Sequence, residues 1–142
     1  HLFNQVLAAR VAGGTWDRAL AGDVLQLAGS ERQFMFDPED ATLAQRIGQL
    51  DVHPGGPLCG RAGHALQPAL DALALEQAVL ADWSDWIAGL ERLGVEADRR
   101  PLRLVVGEMA WGWTEGALQL AFELPAGAYA TAVARELLSP AG

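Results

Sequence analysis

The sequence predicts an α+β fold in two parts, and three observations predict it. Apolar residues recur at helical spacing over residues 2–12 and 68–93. Short segments at 24–28, 33–36, 102–106 and 117–124 read as strands, with clear apolar/polar alternation at 102–106 and 117–124. Glycine and proline punctuate the chain between these segments. With 51% hydrophobic residues in 142, the chain can bury a real core in one modest domain, or one domain plus a fragment of another.

Leu2, Phe3, Val6 and Leu7 share one helical face, and Gly13-Gly14 ends that helix. Trp16 and Leu20 fall in a short irregular or helical piece. Gly22-Asp23 is a turn, Val24 to Ala28 a strand, Gly29-Ser30 a turn and Gln33 to Phe36 a second strand. Asp37-Pro38-Glu39-Asp40 predicts a helix start, with Asp37 as cap and Pro38 in the first helical position; Leu43, Ile47 and Leu50 are its buried face. Residues 51–67 hold four glycines and two prolines and read as one long loop. From Pro68, Leu70, Leu73, Leu80, Ile87 and Leu90 mark the longest helical pattern, which Asp82–Trp86 divides and Gly94 closes. Leu102, Leu104 and Val106 alternate as a strand, Trp111-Gly112-Trp113 reads as an irregular link, and residues 117–124 form a returning strand. Pro125 ends it by removing a ladder donor, Gly127 allows a turn, and Tyr129, Val133 and Leu137 then recur at helical spacing. Tyr129 therefore stands at a strand–turn–helix junction, where a ring either caps the local core or faces a cleft.

The formal net charge is −8, and all ten basic residues are arginine. No third of the chain is basic, which is unfavourable for phosphate binding. Arg99, Arg100 and Arg103 form the one basic cluster and are the candidate RNA contacts; a solvated strand entry is the alternative. No stretch is apolar for long enough to cross a bilayer. The first residues lack a signal pattern, and the lone Cys59 suits a reducing compartment, so a cytoplasmic location is expected. The start on His1, directly in an apolar helical pattern, reads as a chain cut from a longer one.

Other chemistries are poorly supported. Gly55-x4-Gly60-Arg61-Ala62 has the glycine spacing of a phosphate loop but lacks its lysine and its serine or threonine. His53, Cys59 and His64 lie close in sequence without a paired-ligand spacing or an evident fourth ligand, so no metal site is expected. Trp83, Trp86, Trp111 and Trp113 could stack bases, but core or interdomain packing accounts for them as well.

The stretch Leu124-Pro125-Ala126-Gly127, then Tyr129-Ala130-Thr131 and Arg135-Glu136-Leu137, resembles the closing motif of the tRNA pseudouridine synthase D (TruD) family. Leu2-Phe3-Asn4-Gln5, Gly22 to Gly29, Gly56-Pro57-Leu58-Cys59-Gly60 and Arg99 to Leu104 match the family in order and spacing as well. The resemblance implies that residues 1–104 are the family's small helix-rich inserted domain with a β-hairpin. Residues 105–142 would be the last strands and helix of a mixed or antiparallel-sheet catalytic domain. It implies isomerisation of a tRNA uridine (position 13 in the family) to pseudouridine, with no metal or organic cofactor. The nucleophilic aspartate of the family stands in a Gly-x-Lys-Asp context upstream of the region matched here. No aspartate of this chain follows a lysine, because the chain has none. The resemblance thus places no catalytic residue here, makes Tyr129 the lining of the target base, and gives Arg135 a structural role. The expected partners are tRNA and the missing N-terminal half, with no membrane. Unpaired strand edges at 102–106 and 117–124 add self-association. The alternative is a non-catalytic RNA- or protein-binding module derived from the same fold.

Overall fold

A computed structural model describes residues 1–138. The chain divides into two compact units, residues 1–103 and 104–142.

The first unit is a four-stranded antiparallel sheet covered by helices. Helix α1 (Leu2–Ala12) buries Leu2, Phe3, Val6 and Arg10. Strands β1 (Val24–Leu27) and β2 (Gln33–Met35) form a hairpin. Helix α2 (Ala41–Gly48) follows, capped by Asp40, whose carboxylate accepts from the Thr42 N–H at 2.9 Å. The cap is therefore Asp40 and not Asp37. Asp37 accepts from the Glu39 N–H at 2.9 Å, so Pro38 sits in a turn ahead of the helix.

The largest departure from expectation is at 51–67. Val52–Leu58 is not loop but strand β3, buried along almost its whole length. β3 pairs with β1 through residues 52–54 and with β4 (Asp98–Pro101) through residues 55–58, giving the order β2-β1-β3-β4. This split explains how the strand tolerates two prolines. The Pro54 carbonyl accepts from Leu102 N–H at 2.9 Å, so residue 54 faces the β4 side, just past the end of the β4 ladder. Pro57, three residues on, faces the β1 side, beyond the residues that β1 pairs. Neither missing N–H removes a ladder bond. The glycines have a packing reason: a Cβ on Gly56 would lie 2.7 Å from Leu102 Cδ2 and 2.9 Å from the Phe3 ring.

Leu25 and Val52 of the sheet pack with Leu43 and Ile47 of α2 in one buried cluster, flanked by Ala19, Leu27, Phe34 and Phe36. The outer strands meet through a side-chain bond, Gln33 Nε2 donating to Asp98 Oδ1 at 3.1 Å. Three flat strand spacings would separate their backbones by about 14 Å, so the sheet curls enough for the two side chains to meet. A buried ion pair, Arg10 with Asp23 at 2.8 and 3.1 Å, ties α1 to the start of β1; Arg10 also donates to the Thr15 and Arg18 carbonyls.

The long helical pattern is divided, as its sequence suggests. α3 (Leu70–Leu80) and α4 (Ser84–Arg92) are separated by a 3₁₀ turn over Ala81–Trp83. After α4, Gly94 takes φ +74° and donates to the Glu91 carbonyl at 3.0 Å.

The second unit is a hairpin of β5 (Gly107–Thr114) and β6 (Ala117–Glu123), followed by α5 (Ala130–Leu138). Two expectations fail around it. Residues 102–106 are not a strand: the preceding strand lies earlier, at β4, and Leu102 is held by its N–H bond to Pro54. Trp111-Gly112-Trp113 is not an irregular link but lies inside β5, with Trp111 opposite Leu120 and Trp113 opposite Leu118.

Candidate functional site

Strand β4 has the sequence Asp-Arg-Arg-Pro, and the sheet divides its side chains between interior and surface. Arg99 is buried. Its guanidinium meets Glu76 of α3, Nη1 to Oε2 at 3.3 Å and Nη2 to Oε1, and donates to the Gly55 carbonyl at 2.8 Å. Arg103 is also turned inward. Its Nε donates to His53 Nδ1 at 2.8 Å, and Nη2 donates to the carbonyls of Val52, at 2.8 Å, and Ile47. Arg100 is exposed and lays its guanidinium over the Phe3 ring, 4.6 Å from the centroid. The basic cluster of the sequence thus separates into two arginines held by interior partners and one at the surface. Periodicity did not reveal the partners: Glu76 looks like a solvated helix residue, and Phe3 belongs to a segment far away in sequence.

The three other titratable residues singled out in the sequence do not converge. His53 lies within β3, and burial, with Arg103 beside it, lowers its pKa. Accepting from Arg103 requires an unprotonated Nδ1, which leaves the ring proton on Nε2. Cys59 is half-buried just past β3. Burial, aided by the Glu76 carboxylate, raises its pKa and disfavours the thiolate. His64 lies in the segment leading to α3. No three His, Cys, Asp or Glu residues form a metal-holding group among the described residues. Gly55 and Gly60, the glycines of the phosphate-loop spacing, stand in β3 and just after it, so no phosphate-cradling loop forms between them.

The aromatic residues also separate. Trp83 packs edge-on to His1 at 4.7 Å and to Trp86 at 5.7 Å. In the second unit, Trp111 and Trp113 point to the same face of β5 by strand alternation and are 71% and 69% exposed. Tyr129 is 72% exposed, directly ahead of α5; Gly127 at φ +82° makes the turn and the Tyr129 carbonyl accepts from Ala132 N–H at 3.0 Å. The ring therefore does not cap a local core and stands free for contact. Arg135 is exposed on the last turn of α5.

No helix among the described residues is long and apolar enough to cross a membrane.

Comparison with known proteins places these observations. The family model described as "tRNA pseudouridine synthase D (TruD)" matches residues 1–137. The chain is 47% identical over 137 residues to the tRNA pseudouridine synthase D of Hydrogenovibrio crunogenus, covering 96% of this chain and 39% of that protein. It is likewise 47% identical over 139 residues to the namesake from Xanthomonas campestris pv. campestris, covering 96% and 37%. The chain therefore spans about two fifths of the length of these relatives. Its fold is similar to a Methanosarcina mazei chain whose crystal structure is described under the name tRNA pseudouridine synthase D (TruD), with TM-score 0.71, 21% identity, and coverage of 95% of this chain and 35% of that one. The family model spans both compact units, and the chain belongs to the tRNA pseudouridine synthase D (TruD) family.

Proposed function

We propose that this chain is the later part of a tRNA pseudouridine synthase, an isomerase that converts a tRNA uridine to pseudouridine without metal or organic cofactor. The observation that carries this reading is the family match along residues 1–137, at two fifths of the relatives' length. Residues 1–104 act as the inserted domain that walls the tRNA cleft. Residues 105–142 complete the catalytic domain with a hairpin and a helix. The nucleophilic aspartate lies upstream, so the chain is inactive alone and its partners are tRNA and the remaining N-terminal part.

The chemistry assigns the roles. The target base leaves its stack to be attacked, and an unstacked base is stabilised by an aromatic platform. Tyr129 is an exposed ring on a glycine-made turn and serves as that platform. Phosphate contacts by Arg99, Arg100 and Arg103 narrow to Arg100, because the other two guanidiniums are held by interior acceptors. The net charge of −8 fits a fragment that contributes shape and base contacts more than affinity for phosphate. The work is cytoplasmic, where tRNA is modified.

The test is pseudouridine formation on a tRNA transcript by the whole protein, with the upstream Lys-preceded aspartate replaced by asparagine. Abolished turnover with retained tRNA binding is expected; undiminished turnover overturns the placement of the nucleophile.

A further inference from the structure

Helix α4 carries an apolar stripe that nothing in the first unit covers. Trp86, Leu90 and Leu93 share one side of the helix by their spacing, with Ser84, Glu91 and Arg92 on the other. No residue of α4 is buried, and Trp86 and Leu93 are 62% and 80% exposed. An amphipathic helix ordinarily turns its apolar side to a partner. An RNA backbone is disfavoured here, because Asp82, Asp85 and Glu91 outnumber Arg92.

The start of α1 is incomplete in a complementary way. Leu2 and Phe3 are buried, yet their N–H groups stand at the first positions of the helix, where no intrahelical acceptor exists, and no side chain caps them. The carbonyls of a preceding helical turn would satisfy them. The geometry also fixes where such a turn would go. The His1 ring lies 4.7 Å from the Trp83 ring and 6.3 Å from the Trp86 ring, at the junction of α3 and α4. From there α1 packs back along α3, so the two helices run antiparallel. α4 follows α3 through a single 3₁₀ turn, and the axis of α1 prolonged beyond His1 passes over α4.

We propose that α1 continues upstream of His1 by about two turns and lays an apolar side along Trp86, Leu90 and Leu93. Trp86 and Leu93 lie roughly 10 Å apart along the helix, which two turns of an antiparallel neighbour cover. The positions three, four and seven before His1 share its face and carry the apolar contacts. The proposal rests on the reading that these 142 residues are the later part of a longer chain.

The experiment is made on the whole protein without tRNA. Hydroxyl-radical footprinting reads Trp86 with Trp16 as internal standard, and amide hydrogen exchange reads Leu2 and Phe3. Trp86 is the more exposed of the two rings in the present structure, 62% against 39%, and would be oxidised the faster if uncovered. The expected result is oxidation of Trp86 slower than that of Trp16 by roughly fivefold or more, with the Leu2 and Phe3 amides protected by about a hundredfold or more. Trp86 oxidised as fast as Trp16 overturns the proposal. So does a protected Trp86 with freely exchanging Leu2 and Phe3 amides, because another surface then covers the stripe. Protection that appears only with tRNA, or that fades on dilution, gives the stripe to RNA or to a second copy and overturns it as well. Activity separates this from the larger reading. A whole protein that protects Trp86, Leu2 and Phe3 but forms no pseudouridine refutes the enzyme and keeps the longer helix. An active protein with Trp86 open refutes the longer helix alone.

Discussion

Arg99 of β4 reaches across to α3 and gives its guanidinium to Glu76, with both side chains nearly closed to solvent. An arginine that looks like a phosphate contact in sequence is thus a strut between helix and sheet. Removing one partner strands a buried charge, which typically costs about 3–5 kcal/mol. Glu76→Ala should destabilise the chain by that order in urea unfolding; a change below about 1 kcal/mol would show that the pair behaves as a solvated one.

Arg100 gives the complementary result. Its exposed guanidinium predicts that Arg100→Ala leaves stability nearly unchanged but reduces the slope of log affinity for tRNA against log salt by about one unit. Salt titrations of binding by the whole protein check this. An unchanged slope removes Arg100 from the phosphate contacts.

His53 predicts a specific pH dependence. Burial and Arg103 lower its pKa in the folded chain. The unfolded chain takes up this proton near the ordinary value, about 6.5, and the folded chain only at lower pH. The unfolded state then binds more protons, so stability falls as pH drops below about 7. His53→Gln keeps an acceptor for Arg103 and cannot titrate. Unfolding free energies measured between pH 7 and 5 should fall more steeply for the parent than for the variant. Parallel curves would contradict the neutral, buried imidazole.

Gly22 tests the close approach between the turn before β1 and the start of α3. Its φ is +76°, and a Cβ there would run into the backbone of Ala69, which donates its N–H to the Gly22 carbonyl at 2.9 Å. Left-handed backbone costs a side chain about 1–2 kcal/mol, and overpacking about 1–3 kcal/mol. Gly22→Ala should therefore lower stability by roughly 2–5 kcal/mol, read in the same unfolding assay. A loss near zero would mean that the turn relaxes freely.

The second unit predicts self-association of the isolated chain. β5 and β6 pair only with each other among the described residues, leaving a strand edge on each, and Trp111 and Trp113 are exposed beside them. Sedimentation at micromolar concentration should show a dimer or larger species, reduced by Trp111→Ser with Trp113→Ser. A clean monomer would contradict this.

The helices and the first hairpin were legible because each carries its own signal: the Gly13-Gly14 stop after α1, the turn between Gln26 and Gln33, and Gly94 after α4. β3 was hidden because proline and glycine punctuate loops when read locally. Only the partner strands show that Pro54 and Pro57 each face a side where the neighbouring ladder has ended, and that Gly56 lies beneath Phe3 and Leu102. β5 was hidden for a related reason, since Gly112 between two tryptophans breaks the apolar alternation while pairing normally with Gln119. Tyr129 was located by the resemblance, and its exposure was visible only in the structure.

At the proposed site, Tyr129 should act through its ring. Stacking on an unpaired base contributes about 1–3 kcal/mol. In the whole protein, Tyr129→Ala should therefore lower pseudouridine formation by roughly 5- to 150-fold without loss of stability, while Tyr129→Phe stays near the parent rate. Equal losses for both variants would mean that the hydroxyl, not the ring, is used.

The most direct measurement compares pseudouridine formation on a tRNA transcript by this chain alone, by a separately made N-terminal part alone, and by the two mixed. The account predicts product in the mixture only. Product from this chain alone would contradict it, because the nucleophile would then have to lie among residues 1–142.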